Sequence, residues 1–191
     1  MNKKTKALDR EQYGLIIDTI RNGFQYNGSE FKPNNRLATL LMVQANLGVR
    51  ISDILKLTLS DIVKESGRYR LDIVEQKTGK ERNFTVPAAL YDYLVTYAGE
   101  NKIGNQAKLF PICERAVQKQ LKIVADYLQI DGISTHSFRK FYATQIYQNN
   151  DYDIELVRHL LQHSSATITQ KYIGISSARV EQAINKHVCL V

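Results

Sequence analysis

Apolar residues recur at helical spacing through most of the chain and switch to alternation in one central stretch. Between Asp9 and Phe24, Tyr13, Ile16, Ile17, Ile20 and Phe24 share one helical face, with Asp9 and Gln12 placed as a capping pair. Gly28 to Asn35, rich in Gly, Asn and Pro, reads as a loop, and Arg36 to Leu47 as a largely buried helix ended by Gly48. From Arg68 to Pro87 the period falls to two: Tyr69, Leu71 and Ile73 alternate with Arg70, Asp72 and Val74, and Phe84 and Val86 flank Thr85. Lys77 to Lys80 forms the hairpin turn between these strands. Helical spacing returns with Val117, Leu121, Val124 and Leu128, then with Phe138, Phe141, Tyr142 and Ile146. Short helices follow over Ile154 to Leu161, Ala166 to Tyr172 and Ser177 to His187. The pattern predicts an α+β fold, mostly α: a helical domain with one small antiparallel β-sheet.

At 191 residues the chain is long enough for one sizeable core. The expected organisation is a basic N-terminal tail over 1–8 and a single domain over 9–191. Against 19 acidic residues stand 26 Lys and Arg, and the formal charge of +7 favours a polyanionic partner. A membrane surface is the competing partner, but apolar runs such as Leu40 to Val43 fall far short of the ~20 residues of a spanning helix. Lys3, Lys4 and Lys6 are not followed by the apolar stretch of a secretory signal, which points to the cytoplasm. Cys113 and Cys189, far apart in sequence, suggest neither a disulfide framework nor a zinc knuckle.

The densest polar constellation begins at Thr135, where His136 and Arg139 fall one turn apart at the start of a helix. Free backbone N–H groups, the helix dipole and a planar guanidinium together describe a phosphate site. In isolation the same pair fits a capped helix with two solvated side chains. Arg50 sits just past Gly48, at the edge of the core, where pairing with Asp53 is the plain structural reading. Farther on, His163 stands at a helix end and Tyr172 nine residues later, near the close of the next short helix. His159 and His163, at i and i+4, invite a metal reading, but no third ligand has a supporting spacing and the HExxH pattern is absent.

Arg50, His136-x-x-Arg139, His163 and Tyr172, in that order, resemble the catalytic domain of the tyrosine recombinase and phage integrase family. The likeness runs from about Asp9 to the end of the chain. Leu47 to Asp53 is similar to the family's first Arg box, His136 to Thr144 to its second, and Leu161-x-His163-Ser164-Ser165 with Thr169-x-x-Tyr172 completes the set. The family's hairpin lysine matches Lys77, with Lys80 as rival on the same turn, and Asp53 matches the acidic position that supports the first Arg. Gln162 stands where Gly is usual before the His, and Lys140 where a second His often follows the Arg. The chain has no room for the separate helical domain that closes over DNA in most relatives, so a catalytic fragment or a naturally short protein is expected.

The resemblance implies a site-specific recombinase or integrase acting on double-stranded DNA through a 3′-phosphotyrosyl intermediate. Attack on a phosphodiester gathers negative charge on two nonbridging oxygens, so fixed cations must surround the phosphorus. Arg50 and Arg139 are the expected clamp, with His163 as a hydrogen-bond donor to the same oxygens. Tyr172 is the nucleophile, His136 its proton acceptor and Lys77 the acid for the leaving 5′ hydroxyl. The covalent bond conserves the energy of the linkage, so no cofactor is expected. A GxxxxGK[ST] loop and an acidic cluster for two metal ions are both lacking. A tail helix with Val180, Ala183, Ile184 and Val188 on one side, docking on a neighbour in relatives, implies a homodimer or homotetramer on DNA. Two other functions fit the same residues: a noncatalytic DNA-binding regulator, and type IB topoisomerase-like relaxation of DNA.

Overall fold

The computed structural model describes residues 5–173, which fall into two compact units, one ending at Tyr142 and the other beginning at Ala143. The first helix, α1 (Arg10–Asn22), starts where its capping chemistry predicts. The Asp9 carboxylate accepts the Gln12 N–H at 2.7 Å while the Gln12 side chain reaches back to the Asp9 N–H. Its buried face is Ile16, Ile17 and Ile20, and it packs along α2 (Asn35–Leu47). Residues between them are not a plain loop. Asn27 and Gly28, both at positive φ, make a two-residue turn that pairs β1 (Phe24–Tyr26) with β2 (Ser29–Phe31). Phe24 stacks on Phe31 at 4.8 Å and on Tyr127 at 4.5 Å, so aromatic packing holds a hairpin that the Gly- and Asn-rich composition concealed.

Beyond α2 come the short α3 (Ile51–Ile54), a 3-10 turn over Leu59–Asp61, and β3 (Ile62–Glu65). With β4 (Arg68–Val74) and β5 (Glu81–Val86), β3 forms an antiparallel sheet in the order β3-β4-β5. Its register pairs Ile62 with Leu71 and Tyr69 with Val86, so the alternation puts Ile62, Leu71 and Val86 into the core. Helices α4 (Ala88–Glu100) and α5 (Glu114–Tyr127) add Leu90, Leu94, Val117, Leu121 and Val124 to it. Helix α6 (Thr135–Asn149) begins in the first unit, where Phe138 is buried in the same core and Tyr13 stacks on Phe141 at 4.6 Å.

In the second unit, α7 (Ile154–Leu161) is capped by the Asp153 carboxylate, which accepts the Leu156 N–H at 2.9 Å, and is followed by α8 (Ala166–Ile173). Gln162 terminates α7 at φ 55, in the left-handed region. This is the conformation that makes Gly the common residue at a helix C-terminus, so Gln here bears the steric cost that a Cβ adds. The helix expected over Ser177 to His187 lies outside the described residues. Among the described residues no helix is long and apolar enough to cross a membrane.

Gly48 ends α2 at φ 60, and a Cβ built there would come within 2.2 Å of the buried Tyr142 ring. Gly48→Ala combines a left-handed conformation costing about 1–2 kcal/mol with an overlap against the buried Tyr142 ring. Denaturant unfolding should show a loss above about 2 kcal/mol, whereas a variant unfolding like wild type would contradict the packing at this corner.

Candidate active site

Three arginines converge in the first unit on one carboxylate that the sequence reading did not single out. Glu75, with 0% of its surface exposed, follows β4 at the start of the hairpin turn. Its Oε2 accepts from Arg50 and from the Thr78 hydroxyl at 2.8 Å, and its Oε1 accepts from Arg82 at 2.7 Å. Arg139 Nη1 lies 3.9 Å from the same Oε1. Arg82 and Arg139 are buried, and the Arg50 side chain keeps 17% of its surface, making it the most exposed of the three.

Helix termination explains how two buried guanidiniums are tolerated. The last carbonyls of a helix lack intrahelical partners and carry the negative end of the dipole. Arg139 donates to the Gly48 carbonyl at 2.7 Å and Arg82 to the Leu47 carbonyl at 3.5 Å, both at the end of α2. The Arg82 guanidinium also lies 4.9 Å from the Phe84 ring centre. With its amide oriented to suit its neighbours, buried Gln44 donates to the Thr135 carbonyl and accepts from the Ile51 N–H, each at 3.2 Å. One side chain thus joins the start of α6 to the start of α3, the segments that carry His136 and Arg50.

The carboxylate paired with Arg50 is Glu75. Asp53, read from sequence as that partner, instead accepts the Gln76 N–H at 2.9 Å and so supports the turn that carries Lys77. Lys77 and Lys80 are both exposed on this turn. Burial alone would raise the Glu75 carboxyl, but hydrogen bonds from Thr78, Arg82 and Arg50, with the Arg50 charge, bring it down to about 2. His136 is held below the ordinary imidazole value of 6.5, first by desolvation and then by the positive charges of Arg139, Lys77 and Arg50. Its neutral form therefore dominates near pH 7. Burial raises the Tyr142 phenol above 10 against the pull of Arg82 and Arg139, which keeps that tyrosine protonated.

In the second unit, His163 lies just beyond the end of α7, so it does not share a helix face with His159. Its Nδ1 is 3.1 Å from the hydroxyl of buried Thr169, and its backbone N–H bonds to the Arg158 carbonyl at 3.0 Å. The Tyr172 ring meets the imidazole edge-on, with centres 5.2 Å apart, and its hydroxyl oxygen is buried. Expected residues are thus grouped as Arg50, Lys77, His136 and Arg139 in the first unit, and His163 with Tyr172 in the second.

The family model described as "Phage integrase family" matches residues 6–179 of this chain. The chain belongs to the phage integrase family. Among its curated relatives, the probable integrase/recombinase YoeC of Bacillus subtilis is 31% identical over 149 residues, covering 74% of this chain and 79% of that protein. Tyrosine recombinase XerA of Pyrococcus furiosus is 25% identical over 189 residues, covering 95% of this chain and 61% of XerA. This integrase-family chain spans only about three-fifths of XerA's length. In fold it is similar to the catalytic domain of bacteriophage HP1 integrase, at TM-score 0.66 and 18% identity, with 96% of each chain covered. A XerH recombinase structure, in a post-cleavage complex with its difH substrate, aligns at TM-score 0.73 and 21% identity, covering 96% of this chain and 53% of XerH.

Two titrations check these electrostatics. The folded-state value of Glu75 lies below its ordinary 4.5, so the stability it contributes is present above that pH and is lost as pH falls toward about 2. Glu75→Gln should flatten this acid limb in chemical-denaturation profiles. By NMR, His136 should titrate below 6.5 in the free protein, and Lys77→Met should move the midpoint upward by removing a positive charge. A midpoint unchanged by that substitution would exclude Lys77 from the field at His136.

Proposed function

We propose that this chain is a site-specific recombinase or integrase that cleaves and rejoins double-stranded DNA through a 3′-phosphotyrosyl bond to Tyr172. In this reading residues 9–191 are the catalytic domain and 1–8 a basic tail. Two or four protomers assemble on DNA in the cytoplasm, at the nucleoid.

The carrying observation is the arginine cluster around Glu75, set in the first unit of a phage integrase family chain with His136 inside its positive field. One carboxylate against three guanidiniums leaves an excess of positive charge, the balance a phosphodiester needs as its nonbridging oxygens gain charge. Arg50, the most exposed of the three, meets the phosphate, with Arg139 behind it at the end of α2. The Tyr172 oxygen forms the new bond to phosphorus as the bond to the 5′ oxygen breaks. The phenol proton goes to neutral His136, Lys77 protonates the departing 5′ oxygen, and His163 donates a hydrogen bond to a nonbridging oxygen. The Thr169 hydroxyl, 3.1 Å from the His163 Nδ1, orients the ring for that bond. Lys77 is preferred to Lys80 because its charge is among those that depress His136. Rejoining reverses these steps and needs no cofactor.

Nicked suicide duplexes, randomised around the cleavage position, test the reading. Wild type should trap a covalent protein–DNA adduct on a subset of sequences, and Tyr172→Phe should trap none. Equal adduct yields from the two proteins would refute the nucleophile, and a gel shift without any adduct would identify a DNA-binding regulator instead.

A further inference from the structure

We propose that Glu75 is a positioning residue for strand cleavage, whose one carboxylate sets both the Arg50 guanidinium and the turn that carries Lys77. The proposal rests on the phosphotyrosyl reading above. Glu75 holds this turn through backbone and side chain together. Its N–H bonds to the Lys80 carbonyl at 2.9 Å and its carbonyl accepts the Gly79 N–H at 2.8 Å, so its two main-chain groups close the loop around Lys77. The Thr78 hydroxyl, inside the loop, reaches the same Oε2 that holds Arg50. Asp53 ties Gln76 down from the other side. The ammonium and the guanidinium therefore share an anchor, and the turn cannot shift without displacing the oxygen to which Arg50 is bonded.

A purely architectural role does not account for this arrangement. Arg82 and Arg139 are the deeply buried cations, and a single oxygen of Glu75, Oε1, faces both. The second oxygen is spent on a partly exposed arginine and an exposed turn, neither of which requires a buried counter-charge. What that oxygen does accomplish is registration of two groups assigned to opposite tasks: charge stabilisation at the nonbridging oxygens and proton donation to the leaving oxygen. Displacement of such groups by about 1 Å is enough to cost about 100-fold in rate.

The test compares single-turnover adduct formation on two versions of a duplex recovered with wild type from the randomised pool. One has the ordinary bridging 5′ oxygen; the other has a 5′ sulfur, so that P–S cleavage releases a thiolate that needs no proton from Lys77. Glu75→Gln should slow the oxygen duplex about 100-fold and the sulfur duplex by less than about tenfold. Thr78→Val, which removes only the hydroxyl linking turn to carboxylate, should show the same preference more weakly, and it carries the comparison if Glu75→Gln does not fold. A general structural defect slows both duplexes by the same factor. Equal losses on the two duplexes, or no loss in either variant, would overturn the proposal while a Tyr172-dependent wild-type adduct leaves the underlying reading intact. Absence of that wild-type adduct would overturn both.

Discussion

A carboxylate withdrawn from solvent among three guanidiniums governs how the first unit is built around its polar centre. A buried arginine without a counter-charge is strongly destabilising, and a buried glutamate without a donor equally so. Here each satisfies the other, and Arg82 and Arg139 each donate as well to a carbonyl that α2 leaves unbonded at its end. The arrangement therefore depends on where a helix stops. Gly48 fixes that point because only a residue without a Cβ fits its left-handed conformation beside the Tyr142 ring. A backbone constraint and an electrostatic one thus coincide within a few residues of Arg50.

The consequence is a graded use of positive charge. Arg82 is structural, sealed between Glu75, the Leu47 carbonyl and Phe84. Arg139 is held at the Gly48 carbonyl, and Arg50 keeps some exposed surface. His136 feels the summed field without ion-pairing to any of them, and its neutrality near pH 7 follows from desolvation and from those neighbours. The family's polar set thus comes with a scaffold of its own, in which Glu75, Arg82 and Gln44 hold the segments that carry the candidate residues Arg50, Lys77, His136 and Arg139. In the second unit, Thr169 plays a comparable part for His163, with its hydroxyl 3.1 Å from the ring Nδ1.

Much of this was legible in the residues. Helix α1 begins at its capping pair, α2 ends at Gly48 and α7 runs from Ile154 to Leu161, because caps and apolar periodicity act locally. The β1–β2 hairpin was hidden for a different reason. Its strands are three residues each, too short to establish alternation, and the Asn27-Gly28 turn was the available signal. Glu75 and Arg82 were hidden by their chemistry, since charged residues in a half-buried hairpin are expected to face water. Parity could have exposed them: Glu75 follows Leu71 and Ile73 in steps of two, and Arg82 precedes Phe84 and Val86 in the same way.

The sequence by itself determined the family, the mostly helical architecture with its central antiparallel hairpin, and the order of the candidate polar residues. These are properties of local periodicity and of motif spacing, both written along one dimension. Only the tertiary structure decided which carboxylate meets Arg50, that Asp53 serves the turn instead, and that two of three clustered arginines are buried. Partner choice among charged groups depends on distances between segments far apart in the chain and on burial that no single segment contains, so it is fixed only when the sheet, α2 and α6 come together.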